Sequence, residues 1–300
     1  MVLLMATPIV LMAIAGALVG LVSSFFGVGA CFIMVPVMMY YFEKFMGVSA
    51  SLSPLIAFGT NMAVVVPTSL SGLLRHRGEL RRKSMRFPVR HYLSFAIPVG
   101  VGSFLGSLMA FVFFSSFRAH AGLAMKTLFG FFCLFGAYRF MKAKPLPATE
   151  MPKLDVMKFA SGGVLSGVIA NFIGIGGGIV YMPVLNALLH IPVHIAVPIS
   201  LATMVVGSSI GASSFAALGR IDQLKHPSEY PPLSFGWFNL IAWLSIGVPS
   251  VLLAQLGPKL AHRTPPARFK ILLALVYTYI GVRLVLNGLL QLTGRPKLLP

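Results

Sequence analysis

The sequence predicts an all-α protein, a polytopic bundle of transmembrane helices, from its composition and from where its charges fall. Of its 300 residues, 57% are hydrophobic and 10% are charged, and the mean hydropathy is +0.88. A soluble domain carries about 25% charged residues. Five uncharged stretches each exceed the roughly 20 apolar residues that cross a bilayer: 1–42, 45–74, 92–117, 159–219 and 230–258. Soluble enzymes, DNA-binding proteins and disulfide scaffolds are thereby excluded.

The net charge of +18 fits the excess of Lys and Arg in cytoplasmic loops of membrane proteins. Because the basic residues lie between hydrophobic stretches, we expect membrane lipid around the protein and no nucleic-acid partner. Cys31 and Cys133 both fall in apolar segments, which predicts neither a disulfide nor a metal site.

Hydropathy predicts about eight spans, and the first and fifth are too long to be one straight helix across about 30 Å of hydrocarbon. Each contains a glycine run, so we expect a broken or re-entrant first helix in each half. The predicted spans are 8–42, 50–74, 92–115, 121–141, 158–190, 195–218, 235–256 and 267–291.

The basic residues also predict an orientation in the plasma or inner membrane. If the 75–90 loop is cytoplasmic, eight spans place 16 Lys and Arg residues on its side and 7 on the other. The same count places both termini in the cytoplasm. All six acidic residues are expected in loops.

The chain repeats itself. Shifting residues 16–37 by 147 positions gives eight identities in 22 positions, including Gly27/Gly174, Gly29/Gly176 and Pro36/Pro183. We therefore predict a first transmembrane repeat at 1–141, a linker at 142–157 and a second repeat at 158–300. Internal repeats are typical of secondary transporters. Four spans in each half would make the halves parallel, unless the glycine breaks are re-entrant hairpins.

The glycine runs are the strongest chemical signal. Four glycines in Gly174–Gly178 predict unwound backbone, because glycine is unfavourable inside a helix by up to about 1 kcal/mol. Such backbone is tolerated at membrane depth only inside protein or along a cavity. Its free N–H groups at the positive end of a half-helix suit an anion. The alternative is close helix packing, which we prefer for the ordinary Gly-xxx-Gly pairs.

The sequence resembles the TauE/SafE family of sulfite and organosulfonate exporters, whose members carry a duplicated G-x-G-G-G-x(4)-P element. Gly174–Gly178 with Pro183 match it, and Gly27-Val28-Gly29 with Pro36 match it in part. A second element, A-x-G-T-S in the family, stands as 57–61 (AFGTN) and 200–204 (SLATM). Ala30, Cys31, Asn61 and Met204 depart from the pattern. The resemblance implies export of small sulfur-containing anions.

Uncharged polar residues near the breaks are the candidate ligands, because donors without charge let an anion bind and leave. Asn171, Thr60 and Asn61 are preferred, although a Ser or Thr can also bond its own helix at i−4. Arg139 and Arg283, both near the cytoplasmic end, could form an anion vestibule or snorkel to the headgroups. The predicted substrate-binding residues are Gly27, Gly29, Cys31, Thr60, Asn61, Asn171, Gly174, Gly176, Gly177, Gly178, Thr203 and Ser208.

The sequence therefore predicts a secondary transporter that exports sulfite or an organosulfonate through a site between two repeats. It predicts no enzyme, catalytic residue, metal or cofactor, and leaves the oligomeric state open. Two alternatives stand beside this prediction: an intramembrane enzyme or assembly factor, and a transporter of another solute.

Overall fold

The structure is a computed structural model that describes residues 2–26, 31–82, 87–142, 151–256 and 266–293, and it is built almost entirely of helices. The first half contains α1 (Val2–Phe26), α2 (Cys31–Phe45), α3 (Ser53–Arg82), α4 (Val89–Ser116) and α5 (Arg118–Lys142). The second half contains α6 (Val156–Phe172), α7 (Gly178–Pro183) continued by a π-turn (Val184–Leu188), α8 (Val193–Lys225), a 3₁₀ turn (Pro227–Glu229), α9 (Leu240–Ala254) and α10 (Pro266–Leu292).

The all-α class is confirmed, and five helices of the described part are long and apolar enough to cross a membrane. They span Ser53–Gly78, Val89–Ser116, Arg118–Arg139, Ile195–Lys225 and Ala274–Leu292. The outer surface is apolar as well: Ile97, Val101 and Phe104 on α4 are each more than half exposed. Such a continuous apolar face suits lipid and not water. The seventh predicted span differs at its start, since Ser234–Phe235 (β1) and Phe238–Asn239 (β2) pair antiparallel before α9.

The predicted interruption of the fifth span is confirmed, because α6 ends at Phe172 and α7 begins at Gly178. The chain also reverses there. Val184, after the break, lies against Gly162 near the start of α6, where a Cβ on the glycine would be 3.2 Å from Val184 Cγ1. The first span likewise divides into α1 and α2, with residues 27–30 outside the described part. Ser24 at the end of α1 lies beside Gly72, whereas Glu43 at the end of α2 bonds Ser53 at the start of α3. Each broken span is therefore a hairpin.

This reversal overturns the expectation of parallel halves. The first half contains five helical passes and not four, so the second half enters the bundle with the opposite direction. Gly59 of α3 packs on Phe215 of α8, and Gly72 of α3 packs on Leu201, so these corresponding helices are antiparallel. In α10, Gly281 meets Leu134 of α5 and Gly288 meets Thr127, which makes that pair antiparallel too.

Two further helix pairs cross between the halves through small residues. Gly16 and Gly20 of α1 pack on the backbone of Ile246 and Ser250 of α9. In the same way, Gly102 of α4 packs on Val164 of α6, and Gly106 of α4 packs on Val168. Both pairs are parallel, and their glycines allow the close backbone approach that membrane helices use. Close helix packing, the interpretation that we prefer for the ordinary Gly-xxx-Gly pairs, is thus confirmed for these two pairs.

The helix directions also correct the predicted positions of the termini. We call the side on which α3 ends and α4 begins the basic face, and the other side the distal face. Thr68 and Ser71 of α3 bond Ser250 and Val251 of α9, so α3, α9 and α1 run in one direction. The start of α1 and the end of α10 therefore lie on the distal face, opposite the 75–90 loop.

Candidate functional site

The break between α6 and α7 has a backbone that only glycine adopts readily. The φ angles of Gly174, Gly176 and Gly177 are 67°, 75° and 91°, in the region that L-residues rarely occupy. The space around these glycines also leaves no room for a larger side chain. A Cβ would collide with the Phe58 ring from Gly174 and with the Tyr181 ring from Gly177. Both backbone conformation and packing therefore require glycines here.

Two side chains hold the carbonyl groups of the break. Asn61 on α3 donates its Nδ2 hydrogen to Gly174 O at 2.8 Å, and Ser208 on α8 donates its Oγ hydrogen to Gly176 O at 3.3 Å. Asn61 and Ser208 are both fully buried. The structure thus brings these two predicted residues to the break, where their donor groups support the backbone.

Several backbone N–H groups of the break are available to donate hydrogen bonds to a ligand. The Ile175 N–H bonds Ala170 O, and the N–H groups of Val180 and Tyr181 both bond Gly177 O. Between them, the N–H groups of residues 176–179 have no hydrogen-bond acceptor within the described part of the chain. Four successive buried amides without acceptors are costly unless a ligand or water accepts from them. They form a small cluster of uncharged donors.

Asn171 approaches the break from the end of α6. Its Nδ2 group donates to Ser103 Oγ on α4 at 2.7 Å and to Gly167 O at 3.0 Å. Its Oδ1 atom has no partner among the described residues and lies against Gly211 of α8. The prediction correctly places Asn171 beside the glycines, although its donors serve the protein.

Two residues at this site were missed from the sequence. The Tyr181 ring lies across Gly177, and its buried hydroxyl lies close to Ser103 on α4. Ser103 accepts from Asn171 on the neighbouring helix. Tyr181 could have been found as the one polar side chain in the apolar run after Gly178, whereas Ser103 carries no such signal among the small residues of α4.

The remaining predicted ligands lie elsewhere or are only partly placed. Thr60 Oγ1 accepts from the Asn239 N–H at 3.0 Å, so it positions the start of α9. Thr203 is fully buried without a partner for its Oγ1 in the described part, one turn before Gly207, which lies beside the Tyr181 hydroxyl. Cys31 is buried next to Phe32, whose ring contacts Tyr277 at 4.7 Å. Gly27 and Gly29 fall outside the described residues.

A separate cavity of about 440 Å³ lies between α3, α8 and the start of α9. Ser209 and Ser213 are the hydroxyl groups in a wall formed otherwise by apolar side chains such as Pro67 and Trp243. Its α3 residues, 63, 66 and 67, lie on the opposite side of that helix from Asn61. The two sides of α3 therefore face different environments, the glycine break and this cavity.

Comparison with known proteins assigns the chain. The profile described as Sulfite exporter TauE/SafE matches residues 12–284. The chain belongs to this family. It is similar to three proteins described as probable membrane transporter proteins. One from Methanocaldococcus jannaschii is 27% identical, covering 92% of this chain and 95% of that protein. YunE of Bacillus subtilis is 24% identical, with coverages of 93% and 98%, and one from Haemophilus influenzae is 26% identical, with 94% and 100%. No solved structure matches significantly.

The predicted anion vestibule of this TauE/SafE protein is not formed. Arg139 lies in the last turn of α5 on the basic face. Arg283 of α10 lies between Gly281, which faces Gly130, and Gly288, which faces Thr127, so it is displaced towards the distal face. Because α5 and α10 are antiparallel, the two arginines cannot meet at one mouth. Their common placement near the cytoplasmic end is wrong for the same reason.

The acidic residues of this TauE/SafE chain are not all in loops, contrary to expectation. Glu43 lies within α2 and is paired with the buried Lys126 of α5 at 3.1 Å. Asp222 lies within α8 and pairs with Arg118, which also binds Glu229 at 2.7 Å. Burial, followed by the bond to Asp222, raises the pKa of Tyr230 in the adjoining loop. Both ion-paired clusters lie at the distal face, away from the glycine break.

Proposed function

We propose that this TauE/SafE transporter exports a small sulfur-containing oxyanion, sulfite or an organosulfonate, and binds it at the break between α6 and α7. The observation that supports this most directly is the row of unpaired amides at residues 176–179. An oxyanion presents several acceptor oxygens that can receive such hydrogen bonds. Asn61 and Asn171 border the same segment, and their buried Oδ1 atoms have no partner in the described structure, which independently favours a polar ligand there.

The absence of charge among these ligands suits transport. The side chains that bond or pack on the glycines of the break are uncharged, as is the neighbouring Asn171: they are Phe58, Asn61, Val65, Tyr181 and Ser208. A fixed Lys or Arg would bind an anion tightly in this apolar interior, whereas neutral dipoles permit it to leave. Export needs no other energy source: an inside-negative membrane offers about 2.3 kcal/mol per charge per 100 mV, enough for a roughly 50-fold gradient of a monoanion.

The proposed orientation places the basic face in the cytoplasm. Eleven of the described Lys and Arg residues flank that face and five flank the distal face, as the positive-inside bias requires. The eleven are Arg75, Arg77, Arg81, Arg82, Arg90, Arg139, Lys142, Lys153, Lys158, Arg268 and Lys270. The halves then form an inverted repeat, with the start of α1 and the end of α10 outside the cytoplasm.

Cysteine labelling tests this orientation. Both native cysteines are buried, so background labelling with an impermeant maleimide should be low. Lys153→Cys and Ser84→Cys should react only after lysis, whereas Ser228→Cys at the distal face should react in intact cells. The opposite pattern would refute the proposed orientation and place the basic face outside the cytoplasm.

Transport by the purified protein tests the substrate. Proteoliposomes should show uptake and counterflow of sulfite or a sulfonate under an imposed potential, and no comparable flux of chloride. Vesicles containing Gly177→Ala protein are the control, because that change fills the space of the Tyr181 ring beside the free amides. Equal flux in both preparations, or none with any sulfur oxyanion, would contradict the proposal.

A further inference from the structure

The two asparagines at the break have amide orientations that are fixed by chemistry. Asn61 Nδ2 faces Gly174 O, and Asn171 Nδ2 faces Gly167 O. A carbonyl oxygen only accepts hydrogen bonds, so in each case the amide nitrogen and not the amide oxygen must face it. The Oδ1 atoms therefore point to the other side, and both are buried without a donor in the described part of the chain.

The residues that carry these two oxygens lie close to the segment with the free amides. Val65, one turn from Asn61 on α3, contacts Gly176, where a Cβ would be 2.8 Å from Val65 Cγ2. The Asn171 oxygen lies against Gly211, three residues from Ser208, which bonds Gly176 O. The break thus offers hydrogen-bond donors from its backbone and acceptors from two side chains. A ligand that only accepts hydrogen bonds would pair with the backbone donors and leave the two asparagine oxygens unpaired. Each unpaired buried group costs about 1–3 kcal/mol.

Charge gives a second, independent restriction. The side chains at the break are neutral, and the ion pairs of Lys126 and Arg118 lie at the distal face. The cost of burying an ion rises steeply with its charge. A neutral site inside a membrane therefore selects a monoanion over a dianion.

Resting on the proposed function, we infer that the break binds the hydrogen-bearing monoanion of an oxyacid, which for sulfite is the hydrogensulfite ion. Its unprotonated oxygens accept from the N–H groups of residues 176–179. Its hydroxyl donates to Asn61 Oδ1 or Asn171 Oδ1. The sulfite dianion and sulfate carry no such donor at neutral pH and one charge too many, so the site rejects them.

The test is the pH dependence of transport in proteoliposomes, with equal pH on both sides and the potential clamped. The apparent KM for total sulfite should rise about tenfold per pH unit above the pKa of hydrogensulfite, with the maximal rate unchanged. Selenite, whose hydrogen-bearing form persists to higher pH, provides the control. Its rise in KM should begin at correspondingly higher pH, because the ligand and not the protein loses the proton.

The outcomes separate this inference from the proposed function. A KM for sulfite that ignores pH, a common midpoint for sulfite and selenite, or competition by sulfate equal to that by hydrogensulfite would overturn the inference while transport stands. Transport that requires Na⁺ and ignores pH would assign the asparagine oxygens to a cation and overturn it too. Vesicles that move no sulfur oxyanion at any pH would refute the proposed function itself.

Discussion

The two glycine breaks occupy matching places in the sequence but have different surroundings. Beside the second break stand Asn171, Tyr181 and Asn61, and the Oδ1 atoms of the two asparagines are buried without a partner in the described structure. At the positions 147 residues before Asn171 and Tyr181 stand Ser24 and Met34, and 143 residues after Asn61 stands Met204. Ser24 bonds Gly20 O of its own helix. The matching positions near the first break are thus apolar or self-satisfied.

Residues that the repeat relates to one another therefore make different contacts in the two halves. Ser103 of α4 accepts from Asn171, whereas Ser250, 147 residues later in α9, bonds Thr68 and joins two helices. Gly176 lies between Val65 and Ser208, which are also related by the repeat, and only the serine bonds it. On the proposed function, we therefore expect ligand binding to be concentrated in the second hairpin, with the first serving as its scaffold.

Replacing a glycine of the second break should have the largest effect. Gly177→Ala forces φ 91° and ψ −33° on a residue with a Cβ, at about 1–3 kcal/mol, and displaces the Tyr181 ring. We expect transport to fall by roughly 10- to 100-fold. Gly47→Ala is the matched control, because Gly47 also has a positive φ, 67°, but has open space around it. Equal losses in both variants, measured as flux per folded protein, would refute the assignment.

Giving the second break the residues of the first should have an intermediate effect. Asn171→Ser and Asn61→Met remove the free oxygens and the support of Gly174 O. We expect the KM for the anion to rise about tenfold in each variant. The reciprocal control, Ser24→Ala, removes only a bond within α1 and should leave KM unchanged. A larger effect of Ser24→Ala than of Asn171→Ser would place the substrate at the first break.

Neutralising Arg139, which the repeat relates to Arg283, should have the smallest effect. Arg139→Gln changes a partly exposed side chain in the last turn of α5, at the basic face. The KM should change by less than about twofold, and any loss should vanish at high salt, because exposed charges are screened. A large, salt-independent loss would move the binding site to the mouth of the protein.

The fold class and the break in the fifth span could be predicted from the sequence, because both depend on local composition. Long uncharged stretches predict membrane helices, and Gly174–Gly178 predicts unwound backbone wherever it occurs. The direction of the chain after the break could not be predicted. A hairpin and a kinked span have the same hydropathy, and only contacts such as Val184 with Gly162 distinguish them.

The roles of the side chains were harder to predict than their positions. Asn61 and Asn171 are beside the glycines as expected, but which of their atoms are free depends on carbonyl partners far away in the sequence. Thr60 precedes Asn61 in the chain, yet a helix turns neighbours through about 100°, and Thr60 faces Asn239 instead. Motif spacing locates a site, whereas tertiary contacts decide which atoms meet the ligand.

The antiparallel relation of α3 to α8 has a consequence for the reversibility of transport. A solute arriving from either side of the membrane meets helices of nearly equivalent arrangement, entered from opposite ends. The structure of such a carrier does not favour one direction of transport, so the electrochemical gradient of the solute sets the direction of its net flux. The same protein that clears an anion from a polarised cell would therefore admit it when the potential collapses and the anion is abundant outside.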